Sequence, residues 1–384
     1  MKSSAKYVVF ALVLMSGPCL AQNNSVDPDD LLGQTKAITT AVPFLSISPD
    51  ARHAALGDAG VASSPDANSS YWNAAKLVFI DKKYGGTLSY TPWLGKIIND
   101  MSISYLSGFY KISQEQAIST SLKYFDLGDI FFTEDGVIGT NFNPREFAVD
   151  FTYSRKLTEV LSLGLTGRYI HSNLTGAFSS GGVDARPGKS VAADIGIFYT
   201  KELESAKSSN LSFGAQISNI GAKITYSDNN NKDFLPTNLR LGSTFTTSLD
   251  AYNSLTFLLD FNKLLVPTID EGQSLLDGMF SSFTDAPGGF SEEIQEITTS
   301  MGVEYWYNEI FAARLGYFLE AYEKGNRKYL TAGAGFRKNN FGFDIAYLVP
   351  TNKREHPLAE TLRFTLLFQI KESTRDLDDT VTDQ

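Results

Sequence analysis

From Tyr84 to Lys371 the chain alternates apolar residues with small or polar ones, segment after segment. This period of two constrains the fold more than any other feature, because it is the signature of strands with two unlike faces. Phe147, Val149, Phe151 and Tyr153 alternate with Ala148, Asp150, Thr152 and Ser154. Leu161, Leu163, Leu165 and Tyr169 alternate with Ser162, Gly164, Thr166 and Arg168, and Leu362, Phe364, Leu366 and Phe368 enclose Arg363 and Thr365. One face is apolar and often ends in Tyr, while the other carries Asp150, Asp194, Asp260, Glu304, Arg314, Asp344 and Arg363. A soluble sandwich would bury the apolar face against a second sheet; a transmembrane barrel turns it to lipid and keeps the charges in the lumen.

Connection lengths decide between the two. The pattern predicts strands over 84–94, 99–110, 114–125, 144–157, 158–172, 188–201, 208–220, 237–247, 253–263, 296–307, 309–321, 327–337, 339–349 and 358–371. Turns near 156–158, 308–309 and 338–340 are tight, whereas 126–143, 173–187, 221–236 and 264–295 are long and rich in Gly, Asn, Asp and Ser. With both termini in the periplasm, every long connection falls on the outer side, as in bacterial outer-membrane barrels. The expected fold is all-β, a 14-stranded antiparallel transmembrane β-barrel with an N-terminal hatch or plug on the periplasmic side, integral to the outer membrane.

Composition agrees. A mean hydropathy of −0.13 excludes a helical membrane bundle, and 27 Phe and 18 Tyr against 3 Trp favour strands. A net charge of −10 offers no footprint for gripping phosphates, so nucleic acid is not an expected partner. Lys2 and Lys6 ahead of the apolar run Tyr7–Met15, then Ser16-Gly17-Pro18 and small residues before Gln22, read as a removable signal peptide over 1–21. Cleavage there removes Cys19, the single cysteine, so an exported chain builds nothing on disulfides. Residues 22–83 form an extension and hatch, 84–371 the barrel, and the acidic end 372–384 a periplasmic tail.

Residues that could carry chemistry are sparse. His53, His171 and His356 lack a second His or a Cys at ligand spacing, and each reads as a surface or loop histidine. Gly188-Lys189-Ser190 is mis-spaced from Gly182 for a phosphate loop, Gly333 and Gly335 read as small lumen residues, and no Gly-x-Ser-x-Gly elbow occurs. No metal or cofactor is expected, and nothing points to an enzyme.

Residues 34–83 are unlike the rest, with no sustained period of two, and 42–78 hold the most specific string. Ala54, Ala55, Gly57, Ala59 and Gly60 are small enough to pack closely within a lumen, and Asp50, Arg52 and Asp58 can pair with strand charges. The stretch from the signal to the first strand is long enough to plug a barrel of this size. The loop over 264–295 sets Met279, Phe280, Phe283 and Phe290 among Gly and Ser. Apolar groups on an outer loop are costly in water unless they cover the barrel mouth or meet a partner, and these four are expected to meet one.

The strings Phe44-Leu-Ser-Ile-Ser-Pro-Asp-Ala-Arg52, Leu56-Gly-Asp-Ala-Gly-Val-Ala62 and Tyr71-Trp-Asn-Ala-Ala-Lys-Leu77 resemble the hatch of the fatty-acid-transporter-like barrels. Its Asn-Pro-Ala motif stands here within Trp72-Asn73-Ala74-Ala75, with Ala74 in place of Pro, a departure that bears on any hatch kink tied to proline. Hatch residues by this resemblance are Arg52, Gly57, Gly60, Trp72, Asn73 and Ala74. Within that group the chain is most similar to the PorV family of the Bacteroidota type IX secretion system. The resemblance implies a barrel that binds the C-terminal signal domain of exported cargo and associates with a large translocon barrel. It would then deliver cargo to a surface attachment complex that includes a signal-removing peptidase. The rival reading, a transporter of hydrophobic small molecules, predicts an apolar pocket between hatch and wall and a lateral gap or bulge in one strand.

Overall fold

Each of the fourteen alternating segments is a strand, and together they close on themselves. In chain order they are β1 (Tyr84–Pro92), β2 (Ser102–Lys111), β3 (Gln116–Asp126), β4 (Arg145–Lys156), β5 (Leu161–Asn173), β6 (Gly188–Leu203) and β7 (Ser209–Gly221), followed by β8 (Asn238–Ser248), β9 (Asn253–Leu264), β10 (Thr298–Tyr307), β11 (Phe311–Leu319), β12 (Lys328–Lys338), β13 (Phe341–Pro350) and β14 (Leu362–Ile370). The computed structural model describes residues 36–93, 100–134, 137–174, 179–180, 183–203, 208–227, 232–269, 272–351 and 361–370. The expected signal peptide, residues 22–35, His356 and the acidic tail lie outside these. Every strand pairs antiparallel with its sequence neighbours, and β1 closes the barrel on β14, from Tyr84 opposite Ile370 to Tyr90 opposite Phe364.

The alternation has the sense that the sequence implied. Phe151, Val191, Leu315 and their equivalents face outward, while Ser162, Thr166 and Arg168 on the other face of β5 are buried in the lumen. Closure removes every unpaired strand edge, which a lipid-embedded sheet requires. At the ends carrying the tight turns, Phe311 packs on Phe336 and Phe341 on Phe368, with ring centroids 5.2 and 5.3 Å apart, as part of an aromatic rim. Asn308, Glu309 and Asn339 adopt left-handed backbone angles that let these turns stay short.

One strand pair is irregular. Between β6 and β7 the register slips, with Ala193 opposite Ile220 but Ile195 opposite Ile217. The bulge is fixed by Asn219, whose backbone N–H donates to Asp194 Oδ1 at 2.7 Å.

The hatch threads the lumen from end to end. Lys36 meets Glu323 between β11 and β12, at the outer end, and the Ala41 N–H donates to Phe234 O between β7 and β8. The chain then passes a 3₁₀ turn (Pro43–Ser46), α1 (Ala51–Ala54), α2 (Ser69–Trp72) and a second 3₁₀ turn (Ala74–Phe79), reaching β1 at the inner end. The plug was expected on the periplasmic side; instead its first described residues lie among the outer loops. Two outer connections, expected as plain loops, contain hairpins over Ile130–Glu134 with Val137–Phe142 and Ser179–Ser180 with Val183–Asp184. A third folds into α3 (Leu275–Ser281) and α4 (Phe290–Gln295).

Candidate functional site

The hatch is held by strand charges at its middle. Arg52 is buried and forks onto Glu304 of β10, Nε to Oε2 at 3.0 Å and Nη2 to Oε1 at 2.9 Å, while Nη1 reaches Asp66 at 2.9 Å. Burial opposes its charge, but Glu304 and Asp66 hold it firmly protonated. Arg314 Nε of β11 shares Glu304 at 2.6 Å and passes the network on to Asp344 of β13 at 2.8 Å. On the opposite wall Arg168 joins Asp150 and Asp194. Asp260 of β9 accepts the backbone N–H groups of Gly60 and Val61 at 2.6 and 2.8 Å, an anchor that strand periodicity marks only as a lumen charge.

Two of the expected hatch charges pair differently. Asp50 was expected to meet a strand charge; it stays within the hatch, accepting Trp72 Nε1 at 2.7 Å and facing His53 Nδ1 at 2.8 Å. Burial works against its charge, and these partners nonetheless hold its carboxyl below the usual range. Asp58 accepts the Tyr329 hydroxyl at 2.6 Å rather than a cation. His53, read as a surface histidine, is fully buried, with Nε2 2.8 Å from Ser63 Oγ. Asp50, His53 and Ser63 thus have the spacing of a nucleophile triad, yet Ser63 Oγ is wholly enclosed and is also contacted by Lys76 Nζ at 2.8 Å. No substrate reaches it in this arrangement, and its bonds tie hatch to hatch. Burial pushes the Lys76 ammonium down to about 8.

The glycines of the motif earn their place by close approach. Gly57 is left-handed, and a Cβ there would lie 2.6 Å from the Tyr317 backbone. A Cβ on Gly60 would strike the Trp72 ring at 2.4 Å. The wall answers with small residues facing the hatch, among them Gly164 against Ala74 and Gly316 against Gly57. Asn73 caps the second 3₁₀ turn, its Oδ1 accepting Ala75 N–H at 3.1 Å while Nδ2 donates to Val61 O and to Ile197 O of β6. An asparagine side chain therefore sets the turn where Ala74 replaces proline.

The outer connection between β9 and β10 is a second candidate surface. Lys263 at the end of β9 pairs with Glu293 and Glu296, and Lys324 pairs with Glu292 and Glu296, so α4 is fixed to the barrel mouth by buried ion pairs. Phe280 and Phe290 are 73% and 80% exposed on this framework, and Phe283, Leu276 and Ile294 are exposed beside them. Met279, expected on that surface with the three Phe, is turned inward and buried at 8%.

A cavity of about 300 Å3 lies between the outer face of the hatch and the wall. Its lining mixes charged and polar residues (Ser48, Asp58, Arg240, Ser300, Glu320, Lys324 and Arg327) with apolar and aromatic ones (Ile38, Trp72, Leu264, Phe318 and Tyr329). Sequence periodicity placed none of these residues together.

Known proteins bear on this geometry at two levels. The family whose profile matches residues 32–271, hatch and first nine strands included, is described as "Type IX secretion system protein PorV". The chain belongs to the PorV family. That makes it an outer-membrane component of type IX protein secretion. At the level of fold it is similar to the toluene transporter TbuX of Ralstonia pickettii, with 12% identity, a TM-score of 0.50, and 86% of this chain and 99% of that one covered. The monoaromatic hydrocarbon channel CymD gives 11% identity, 87% and 100% coverage and a TM-score of 0.49. The P. putida toluene transporter TodX gives 11%, 86% and 100%, with a TM-score of 0.47. No curated protein sequence matches. The matched span takes in Arg52, Gly57, Gly60, Trp72, Asn73 and Ala74.

Proposed function

We propose that this barrel binds the C-terminal signal domain of secreted proteins on its outer surface, beside a large translocon barrel, and hands them to a surface attachment complex with its signal-removing peptidase. The observation that carries the reading is the two-helix loop, its α4 ion-paired to the barrel mouth, presenting Phe280, Phe283 and Phe290 to solvent. Large apolar side chains held outward on a framework of buried ion pairs are the chemistry of a docking surface, where aromatic anchors supply most of the affinity. Met279, beside Phe280 in α3, is buried instead. The test replaces Phe280, Phe283 and Phe290 with Ser and measures secreted proteins recovered with the barrel from outer membranes. Recovery falls at least tenfold while the barrel stays folded; unchanged recovery counts against the surface.

A second reading, passage of hydrophobic small molecules, is favoured by the bulge at Asn219 and by the fold likeness to a protein titled a toluene transporter. Against it stand the charged side chains Asp58, Arg240, Glu320, Lys324 and Arg327 that line the cavity between hatch and wall. Uptake of toluene by cells with and without the barrel separates the two readings, since the docking role predicts no difference.

A further inference from the structure

We propose that the cavity over the hatch is a binding site for a small zwitterion, of the size of an amino acid or dipeptide. The site is built from hatch and wall together: Ser48, Asp58 and Trp72 from the hatch, Arg240 of β8, Ser300 of β10 and Tyr329 of β12. Four of its polar atoms lack any partner in the protein, namely Arg240 Nη1, Asp58 Oδ1, Ser48 Oγ and Ser300 Oγ. Arg240, Ser48 and Ser300 are each more than nine-tenths buried. A buried guanidinium N–H without an acceptor is costly, so a chain keeps one where something else supplies the missing bond.

The guanidinium is fixed before any ligand arrives. It lies 5.0 Å from the Tyr71 ring centre and 5.1 Å from that of Trp72, and Nη2 donates to Tyr71 Oη at 3.4 Å. Stacking of this kind orients the plane and leaves the Nη1 edge unbonded. The remaining charges around the cavity are already neutralised, Lys324 by Glu292 and Glu296, and Arg327 by Glu320. Two unbonded atoms on groups of opposite charge are left, the donor Arg240 Nη1 and the acceptor Asp58 Oδ1, the other Asp58 oxygen taking the Tyr329 hydroxyl. An anion alone satisfies Arg240 Nη1 and leaves Asp58 Oδ1 unbonded; a cation alone does the reverse. A molecule with a carboxylate and an ammonium satisfies both, and the Ser48 and Ser300 hydroxyls can donate or accept beside them. The volume lies at the lower end for ligand pockets, about 300 Å3, which limits the occupant to a small molecule. This site does not depend on the loop reading above.

Isothermal titration of the intact barrel in detergent tests it with four probes: L-alanine, L-alanyl-L-alanine, N-acetyl-L-alanine and L-alaninamide. At least one of the two zwitterions binds at least tenfold more tightly than either blocked compound, and which one does so separates a free amino acid from a short peptide. Arg240→Gln and Asp58→Asn each weaken that binding at least tenfold. Because Arg240 also stacks on the hatch, Ser300→Ala serves as a second variant that leaves the stacking intact, with a severalfold loss expected. Equal affinity for N-acetyl-L-alanine and the zwitterions, or no saturable heat from either zwitterion at millimolar concentration, overturns the proposal.

Discussion

Arg52→Met tests how firmly the hatch is locked. The substitution keeps much of the side-chain volume and removes the fork onto Glu304 together with the contact to Asp66. Removing one partner of a buried pair costs about 3–5 kcal/mol, because the survivor is left charged without its counter-ion. Here the survivors keep other partners: Glu304 retains Arg314 at 2.6 Å, and Asp66 retains the Asn68 N–H at 2.8 Å. The cost therefore sits at the lower end, about 3 kcal/mol, which is roughly a hundredfold shift in the equilibrium between docked and loosened hatch. Local opening of that kind is read by hydrogen exchange. Peptides spanning residues 50–72 exchange about a hundredfold faster in the variant, while peptides from β5 and β13 do not change. Arg52→Lys, which keeps the charge but not the fork, falls between. Hatch exchange accelerated less than threefold, or loss of protection across the whole barrel at once, would refute the reasoning.

Three further outcomes follow from the same structure. Lys36→Cys is modified by a membrane-impermeant maleimide on intact cells and Asn339→Cys is not, because the first lies among the outer loops and the second in an inner turn; the reverse pattern inverts the assigned orientation. The docked hatch gains stability as pH rises through about 8 toward the ordinary lysine value, because Lys76 then sheds its proton in the docked state while the loosened chain still holds one. Denaturant melting followed by Trp72 emission in a Trp93→Phe, Trp306→Phe background detects that gain, and Lys76→Met abolishes it. Gly316→Val drives a side chain into the Gly57 and Leu56 backbone, where even a Cβ would meet Gly57 N at 2.0 Å, and accelerates exchange over residues 50–72. Gly167→Val, on the lipid face with nothing within 4 Å, leaves that exchange unchanged.

The barrel was legible because lipid and lumen impose opposite chemistry on adjacent residues, so Phe147 and Asp150 report their faces without help from their neighbours in space. Loop sorting then followed from length alone. The hatch was legible only as a stretch of small residues. Which charge meets which depends on height within the lumen, and nothing in a strand's period encodes that, so Asp50 was assigned to the wall although it serves His53 and Trp72. His53 itself has no period to place it. The helices α3 and α4 span 7 and 6 residues, too short for a 3.6-residue repeat to show. The direction of the hatch was missed for a related reason: an aperiodic segment says that it fills the lumen, not from which end.

The hatch contacts are spread along the whole lumen, and that spacing bears on function. Near the outer end Lys123 donates to the Leu45 and Ile47 carbonyls and Arg363 to Ser48 O. At mid-height Arg52 and the Gly60 and Val61 amides meet Glu304 and Asp260. Near the inner end Ser154 and Ser162 donate to Ala75 O at 3.1 and 2.6 Å, and Lys111 to Ile80 O at 2.8 Å. A route through the barrel requires these three tiers to release, whereas docking on the outer loop requires none of them to move. Loosening the middle tier therefore divides the two readings. In Arg52→Met a conduit transmits small apolar molecules faster, while a docking barrel recovers its secreted partners as well as before. Only the loop substitutions at Phe280, Phe283 and Phe290 should then remove those partners, and they should do so with the hatch still in place.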